Sequence, residues 1–355
     1  MNATLVVLIC LSFLFVLFVL GEKEDFVSDR ECPFLCTCHE YDVNCSNTNI
    51  FPEGIPKMTE RFFLSDSVID YVPINAFLDL PFLQEIHFLG CNIVKLRACS
   101  FAELENMTKI SFQNSSIDQI EGNAFSNLYN ISIIQFAGSA IGDMFSYSFH
   151  NVNNVESVDF YNTKISTIHP LAMKTFAHIG EIGLVDCTVD RFLVNGFSSL
   201  TNITLMYMSN SVINEWQCGS IASVLASGYD FDITRSSFVC DCKLAWLWTK
   251  HPTHAIFNDR LNNKCKKTDD VLSKVDIDQF CPTEKSREQG CPPLIPSTPH
   301  ICSRSFDSPM NPIEKVTYPA SFTRTSTSSA VSVVKINLKV ILTIFFTKSF
   351  QWLLH

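Results

Sequence analysis

Basic residues are scarce in this chain. Its 355 residues include 26 lysines and arginines against 36 aspartates and glutamates, which gives a net charge of −10 at pH 7 and an isoelectric point near 5.4. Nucleic acids and anionic membranes are bound mainly through basic side chains. We therefore expect neither as a direct partner.

Local motifs of catalysis are also missing. The chain has no Gly-rich phosphate loop, no G-x-S-x-G and no H-E-x-x-H, the patterns typical of phosphate binding, serine hydrolysis and zinc proteolysis. His251 and His254 lie close together, but a proline separates them, so a surface pair is expected rather than a metal site. The sequence predicts no enzyme, no catalytic residue, no metal and no cofactor, although a site assembled from distant segments would leave no local motif.

What the chain has instead is a repeat of 24 residues, which recurs seven times without insertion or deletion. Each unit carries one slot filled by a small polar residue or cysteine, and a β-branched apolar residue follows two positions later. Further apolar columns precede and follow the slot, and no single unit could bury them alone. Stacking of the units is therefore required. The slot residues are Ser67, Cys91, Ser115, Ser139, Thr163, Cys187 and Ser211.

This period and its column order, L-x-x-L-x-L-x-x-N/C-x-L, resemble the leucine-rich repeat. The resemblance implies an α/β-type solenoid: a horseshoe of seven 24-residue repeats with a parallel sheet on its concave side. Most such families place Asn in the slot, where this chain has Ser, Thr or Cys. We expect these side chains to face inward and to hydrogen-bond backbone groups of neighbouring coils.

Two cysteine clusters flank the repeats and resemble the N-terminal and C-terminal caps of extracellular leucine-rich repeat proteins, including surface proteins of the Nogo receptor and variable lymphocyte receptor type. Caps cover the apolar edges and unpaired strands of the end coils. A zinc site is the competing interpretation of such clusters. If the family pairing is carried over, the bonds are Cys32 to Cys38, Cys36 to Cys45, Cys240 to Cys265 and Cys242 to Cys281.

The other cysteines after the N-terminal apolar segment are less regular. Cys91 and Cys187 occupy the inward slot and are expected to be buried thiols. Cys99 and Cys218 are five coils apart, about 24 Å at strand spacing, which is too far for a bond between them. One of them would pair locally or with another chain. Cys291 and Cys302 are expected to close a small loop.

The two ends of the chain predict export. Residues 5–20 are almost continuously apolar and precede Gly21 and a charged run, as in a cleaved secretory signal; an N-terminal anchor helix is the alternative. Near the other end, small residues, a spacer and an apolar tail resemble a glycosylphosphatidylinositol (GPI) attachment signal, with attachment at Ser328 or Ser329. Lys348 interrupts this tail, so a short transmembrane segment and a plain secreted product remain alternatives.

The predicted organisation has six parts. They are a signal peptide (1–21), an N-terminal cysteine-rich cap (32–58), seven leucine-rich repeats (59–226), a C-terminal cysteine-rich cap (227–281), a stalk rich in Pro, Ser and Thr (282–330) and the hydrophobic tail (331–355).

Acceptor motifs for N-linked glycans occur at four asparagines. Asn106, Asn130 and Asn202 share one position before the strand, so glycans there would project from one edge of the stack. Asn114 follows the third concave strand, and a glycan on it would obstruct that end of the groove.

Outward residues of the concave strands can be read from the repeat register. In the middle and C-terminal coils they combine aromatic and aliphatic side chains with polar ones, as in a protein-binding hot spot. The alternative is that a Phe-rich solenoid is apolar on every face. The candidate ligand-binding residues are Ile133, Gln135, Asp159, Tyr161, Glu181, Val185, Leu205 and Tyr207.

The sequence therefore favours a non-enzymatic extracellular recognition or adhesion module that binds a protein ligand. It would be anchored at the cell surface, would touch the membrane only through its lipid anchor, and would need a co-receptor to signal. The alternative is a soluble accessory subunit or a component of the extracellular matrix.

Overall fold

The computed structural model describes residues 31–221, 224, 230–250, 253–283 and 302. The predicted signal peptide, Ser328, Ser329, the hydrophobic tail and nearly all of the predicted stalk lie outside these residues.

Two sheets run along the stack, and each of the seven repeats contributes a strand to both. The first sheet contains eleven of the described strands: β1 (Cys36–His39), β2 (Asp42–Ser46), β3 (Arg61–Ser65), β5 (Glu85–Leu89), β7 (Phe101–Ala102), β8 (Glu105–Gln113), β10 (Phe125–Ala137), β12 (Phe149–Tyr161), β14 (Met173–Val185), β16 (Phe197–Ser209) and β18 (Asp230–Thr234). The second sheet contains nine: β4 (Val68–Val72), β6 (Asn92–Leu96), β9 (Ser116–Ile120), β11 (Ala140–Met144), β13 (Lys164–Ile168), β15 (Thr188–Phe192), β17 (Val212–Trp216), β19 (Ser237–Phe238) and β20 (Lys264–Cys265).

The pairing within these sheets is parallel, apart from the antiparallel hairpin of β1 and β2. Between residues 31 and 221 the described chain contains strands and turns but no helix. The return segment of the first repeat is a series of turns, whereas from Phe101 to Ser209 the return segments contain strand, so the predicted α/β-type solenoid is in detail a parallel β-solenoid.

The stack has about eight turns. Beyond the seven repeats of the sequence, β18 pairs in parallel with β16, and Ser236 takes the slot one coil after Ser211. This turn escapes a search for a constant period because the step from Ser211 to Ser236 is 25 residues.

The core is a column of inward side chains that repeat at the strand spacing. Phe112, Phe136 and Phe160 stack with centroid distances of 4.9 and 5.1 Å and nearly parallel rings. A second stack on the return segments places Phe125 between Phe101 and Phe149, at 4.7 and 4.5 Å. Both series match the expected strand spacing of about 4.8 Å. The Phe columns therefore stack ring on ring from coil to coil.

Left-handed backbone turns form the corners of the coils. In the third repeat, Asn114, Asn123, Asn127 and Asn130 all have positive φ, between 49° and 61°. Asparagine tolerates this region better than most residues because its short side chain can hydrogen-bond locally. This requirement explains why asparagine is frequent at the same positions in successive coils.

The slot side chains form the inward hydrogen-bond ladder that the sequence predicted. Ser139 Oγ accepts a hydrogen bond from the Ser115 backbone N–H at 3.2 Å and lies 3.2 Å from the Phe112 carbonyl oxygen, to which it donates. Cys187 Sγ donates to the Phe160 carbonyl at 3.3 Å. Cys91 and Cys187 are both free, buried thiols. Their burial raises the pKa of both thiols, and that of Cys187 to about 11.

Replacement of Ser139 by alanine is expected to lower the free energy of unfolding by about 1–3 kcal/mol, because it leaves the Ser115 N–H buried without its acceptor. Cys187→Ser is the matched control: a hydroxyl already fills this slot in other coils, so a change below about 1 kcal/mol is expected. Denaturant unfolding of the two variants checks this. Equal losses would contradict a role for the ladder in stability.

Disulfide bonds lie at both ends of the stack. The described bonds include Cys32–Cys38, Cys36–Cys45, Cys240–Cys265 and Cys242–Cys281, the four pairs implied by the family resemblance. The C-terminal segment also contains two short helices, α1 (Trp246–Lys250) and α2 (Ile277–Phe280). Among the described residues, no helix is both long and apolar enough to cross a membrane.

The prediction that Cys291 and Cys302 close a small loop is wrong. Cys302 is bonded to Cys99, 203 residues earlier, and its sulfur also lies 3.2 Å from Ser126 Oγ. Cys218 is disulfide-bonded as well. Separation along the sequence favours a bond between Cys291 and Cys302. Stacking of the coils instead brings the corner at Cys99 within bonding distance of Cys302.

Candidate functional site

The eight candidate binding residues all lie on the outer side of β10, β12, β14 and β16. We call the outward residues at the C-terminal ends of β10, β12, β14 and β16, together with those of β18, the C-terminal face. Strand pairing arranges them in three rows that cross the strands. The rows are Ile133, Ser157, Glu181 and Leu205; then Gln135, Asp159, Gly183, Tyr207 and Asp232; then Ala137, Tyr161, Val185, Ser209 and Thr234.

The three rows differ in exposure. Tyr161 is 52% exposed, and Glu181 and Asp232 are also exposed. The other six candidates, together with Ala137, Ser157, Ser209 and Thr234, are half-buried. Tyr161, Glu181 and Asp232 are thus the most accessible side chains of this face, and the apolar side chains of Ile133, Val185 and Leu205 are half-buried among them.

Tyr207 is held by the glycine of the neighbouring strand. A Cβ atom added to Gly183 would lie 2.5 Å from the Tyr207 ring carbon Cζ and 2.6 Å from its hydroxyl oxygen. The Tyr207 ring therefore lies over Gly183, in the direction of Asp159 one strand further. Asp159 Oδ2 accepts a hydrogen bond from Ser157 Oγ at 2.8 Å, while Oδ1 is buried without a partner among the described residues.

Negative charge concentrates around the Tyr207 hydroxyl. Partial burial raises the pKa of Tyr207, and the nearby carboxylates of Asp159 and Glu181 raise it further, because each disfavours a phenolate beside it. Tyr207 therefore stays protonated across the physiological range and offers a hydrogen-bond donor beside two acceptors.

Replacement of Asp159 by asparagine is expected to lower the pKa of Tyr207 toward its ordinary value. A pH titration of phenolate absorbance measures the pKa of Tyr207, after subtraction of the signal that the other tyrosines give in a Tyr207→Phe protein. Asp232→Asn is the control, because Asp232 pairs with Tyr207 in the sheet but does not shift its pKa. Since folding raises this pKa, the stability it contributes is present below the ordinary tyrosine value and is lost as the pH rises through the folded value. An unchanged titration in Asp159→Asn would contradict this interpretation.

The outer side of the first strands is different, because its charges are paired. Arg61 makes a bidentate ion pair with Asp42 at 2.7 Å. His87 Nε2 lies 2.8 Å from Glu85 Oε2, and its ring stacks on Phe63 with centroids 4.8 Å apart. These groups already satisfy one another.

Most charges on the outer side of the second sheet are also paired, although Asp70 on β4 and Asp118 on β9 have no described ion pair. Lys95 is 4.0 Å from Glu121, Lys164 is 3.6 Å from Asp190, His169 is 3.1 Å from Asp143, and Lys243 is 2.8 Å from Glu215. In contrast, no described ion pair involves Asp159, Glu181 or Asp232 on the C-terminal face.

Three of the predicted glycan acceptors, Asn106, Asn130 and Asn202, are exposed at the same corner of three coils, of which only the first two are adjacent. Asn130 Nδ2 donates a hydrogen bond to Asn106 Oδ1 at 2.6 Å. The fourth acceptor, Asn114, is exposed at the corner after β8, and its Oδ1 would lie 2.5 Å from a Cβ at Gly138. Glycosylation of all four stays a prediction.

Sequence reasoning did not select Ser157, Gly183 and Asp232. Gly183 could have been found, because a lone glycine in a column of larger outward residues indicates close approach by a neighbour. Asp232 belongs to the turn that follows the 25-residue step. His254, considered for a metal pair, accepts a hydrogen bond from the Ile256 backbone N–H, and His251 lies outside the described residues. No group of three or more metal-binding side chains occurs in the described part of the chain.

Comparisons with known proteins agree with the coil geometry. The family model described as BspA type leucine rich repeat region matches residues 70–204 in six copies. An 82-residue segment is 29% identical to the chondroadherin-like protein of Mus musculus, and it covers 22% of this chain and only 11% of that protein.

Two solved structures resemble the chain more loosely. Human 5T4 (Wnt-activated inhibitory factor 1, trophoblast glycoprotein) matches at 17% identity with a TM-score of 0.36, covering 70% of this chain and 99% of the other. An octameric complex of latrophilin 3, Unc5D and FLRT2 matches at 14% identity with a TM-score of 0.23, covering 62% and 90%. At these scores neither structure supports a functional argument.

The family match over the central coils thus agrees with the repeat period, the parallel stacking and the terminal disulfides. The central coils, residues 70–204, match a leucine-rich repeat family model, and a disulfide-bonded segment lies at each end of their stack.

Proposed function

We propose that this chain is a non-enzymatic extracellular recognition or adhesion module that binds a protein ligand through its C-terminal face. The observation that carries the proposal is the contrast between faces. Most charges on the second sheet and on the first strands are paired, with Asp118 among the exceptions, whereas the C-terminal face offers exposed Tyr161, half-buried Leu205 and Val185, and three carboxylates of which none has an ion pair in the described structure. Aromatic anchors with polar surroundings are typical of binding hot spots.

The disulfide between Cys99 and Cys302 supports the choice of face. Cys99 lies at the corner after β6, a strand of the second sheet, so residue 302 is attached on that side of the coil. Cys302 contacts Ser126 and the Asn123 carbonyl there, and the described residues leave the outer side of β12 to β16 uncovered. The disulfides suit an oxidising compartment.

The binding experiment uses two tyrosines of similar exposure. A multimerised ectodomain is applied to an array of purified extracellular domains. Tyr161→Ala is expected to weaken binding to the captured domain about 30-fold, which corresponds to the loss of about 2 kcal/mol of binding free energy typical of a hot-spot residue. Tyr129 is 50% exposed on the return part of β10, away from the C-terminal face, so Tyr129→Ala is the matched control. Equal effects of the two variants would contradict the proposed face.

The surface-anchored form is the first proposal for localisation, with the six-part organisation given above and GPI attachment at Ser328 or Ser329. A soluble accessory subunit or matrix component is the second. Treatment of intact expressing cells with a phosphatidylinositol-specific phospholipase separates them. Enzyme-dependent release supports the lipid anchor. Protein already free in untreated medium supports the soluble form.

A further inference from the structure

We propose that the C-terminal face takes an extended, basic segment of a protein partner, with a lysine or arginine seated at Glu181 and Asp159 beside Tyr207 and a second basic residue at Asp232. This inference rests on the proposed function and names the chemistry of the ligand.

The first support is charge. Asp159, Glu181 and Asp232 lie on β12, β14 and β18, and none of the three has an ion pair among the described residues. The three rows carry no described Lys, Arg or His; His150, Lys174 and His178 lie on the return parts of β12 and β14, outside the rows. Lys109 on β8 and Arg235 at the corner beyond β18 flank the rows. A basic partner would supply the counter-charge that most charged groups on the other faces already have.

The second support is the relation between Asp159 and Glu181. Glu181 pairs with Ser157 on the adjacent strand, so Asp159 and Glu181 are diagonal neighbours. Diagonal side chains on adjacent strands lie about 7–8 Å apart, a separation that one guanidinium or ammonium group can bridge. Both carboxylates also raise the pKa of Tyr207, in agreement with a position of each near its hydroxyl.

The third support is the apolar and aromatic surface around these carboxylates. Tyr161 pairs with Val185, and Leu205 pairs with Glu181. Lysine and arginine bury their aliphatic stems on such surface while the charged group stays at its edge. The Tyr207 ring, which lies over Gly183, adds a face for a cation–π contact.

The layout also predicts a spacing. From β12 to β18 there are three strand steps, or about 14 Å. An extended chain covers this distance in about four residues. The same layout disfavours nucleic acid and anionic membrane, whose phosphates the three carboxylates would repel.

The test uses an array of synthetic peptides with two lysines or two arginines separated by zero to six neutral residues. We expect the strongest binding when the second basic residue follows about four positions after the first, and about tenfold weaker binding to Glu181→Gln or Asp159→Asn. Binding should also weaken as salt rises. Asp118→Asn, an exposed carboxylate on the second sheet, is the control that should bind as the wild type does.

Neutral or acidic peptides that bind as well as basic ones would overturn the inference. So would Glu181→Gln and Asp159→Asn proteins that bind basic peptides with unchanged affinity. In either case, loss of partner capture by Tyr161→Ala would still support the proposed function, so the two failures can be told apart. Self-association of the chain that Glu181→Gln abolishes would also overturn it, because the occupant would then be a second copy.

Discussion

Replacement of Phe136 by alanine is expected to lower the free energy of unfolding by about 4 kcal/mol. Phe136 is fully buried and stacks between Phe112 and Phe160, with edge contacts to Phe125 and Phe149 at 6.2 and 6.3 Å. Removal of its ring opens a cavity between the two Phe stacks. The strands on either side are hydrogen-bonded to β10 through the backbone and cannot move in to fill it. Denaturant unfolding followed by circular dichroism measures the loss.

A solenoid is stabilised mainly by contacts between neighbouring coils. The Phe136→Ala defect is therefore expected to decrease cooperativity as well, so that the coils before and after β10 unfold in separable steps. Tyr129→Ala on the same strand is the control, because its side chain is half exposed and leaves no cavity. A loss below about 1 kcal/mol for Phe136→Ala would show that the coils can repack around the gap.

Removal of the Cys99–Cys302 bond by the double change Cys99→Ser and Cys302→Ser is expected to cost about 4 kcal/mol. The bond closes 203 residues, and a longer closed loop removes more entropy from the unfolded chain. Other disulfides within this segment shorten the loop that the Cys99–Cys302 bond closes. The expected loss of stability is therefore smaller than for a loop of the same length without further cross-links. Thermal unfolding without reductant measures the change.

The matched control is the double change Cys32→Ser and Cys38→Ser. That bond closes a separation of 6 residues, so a smaller cost of about 2 kcal/mol is expected. Peptide mapping without reduction should recover one species that contains Cys99 and Cys302. Recovery of Cys302 joined to Cys291 instead would contradict the structure at this point.

Much of the candidate site could be predicted from sequence because the repeat period is local information. The period identified Tyr161 and Tyr207 as outward, and it identified the slot at Ser139 and Cys187 as inward. A side chain's alternation along a strand decides which face it occupies, and the constant 24-residue step carries that assignment from coil to coil. The resemblance to capped repeat proteins added the four terminal disulfide pairs.

Residue types at repeated positions were enough to predict the stacking, the inward columns, the slot ladder and the membership of the outer rows. The folded structure was needed to show that Tyr207 lies over Gly183 toward Asp159, that Cys99 joins Cys302, and that a further turn carries Asp232. These features depend on distances between residues far apart in the chain. Such distances arise only when the coils are stacked, and a periodic pattern contains no information about the direction of a side chain across strands.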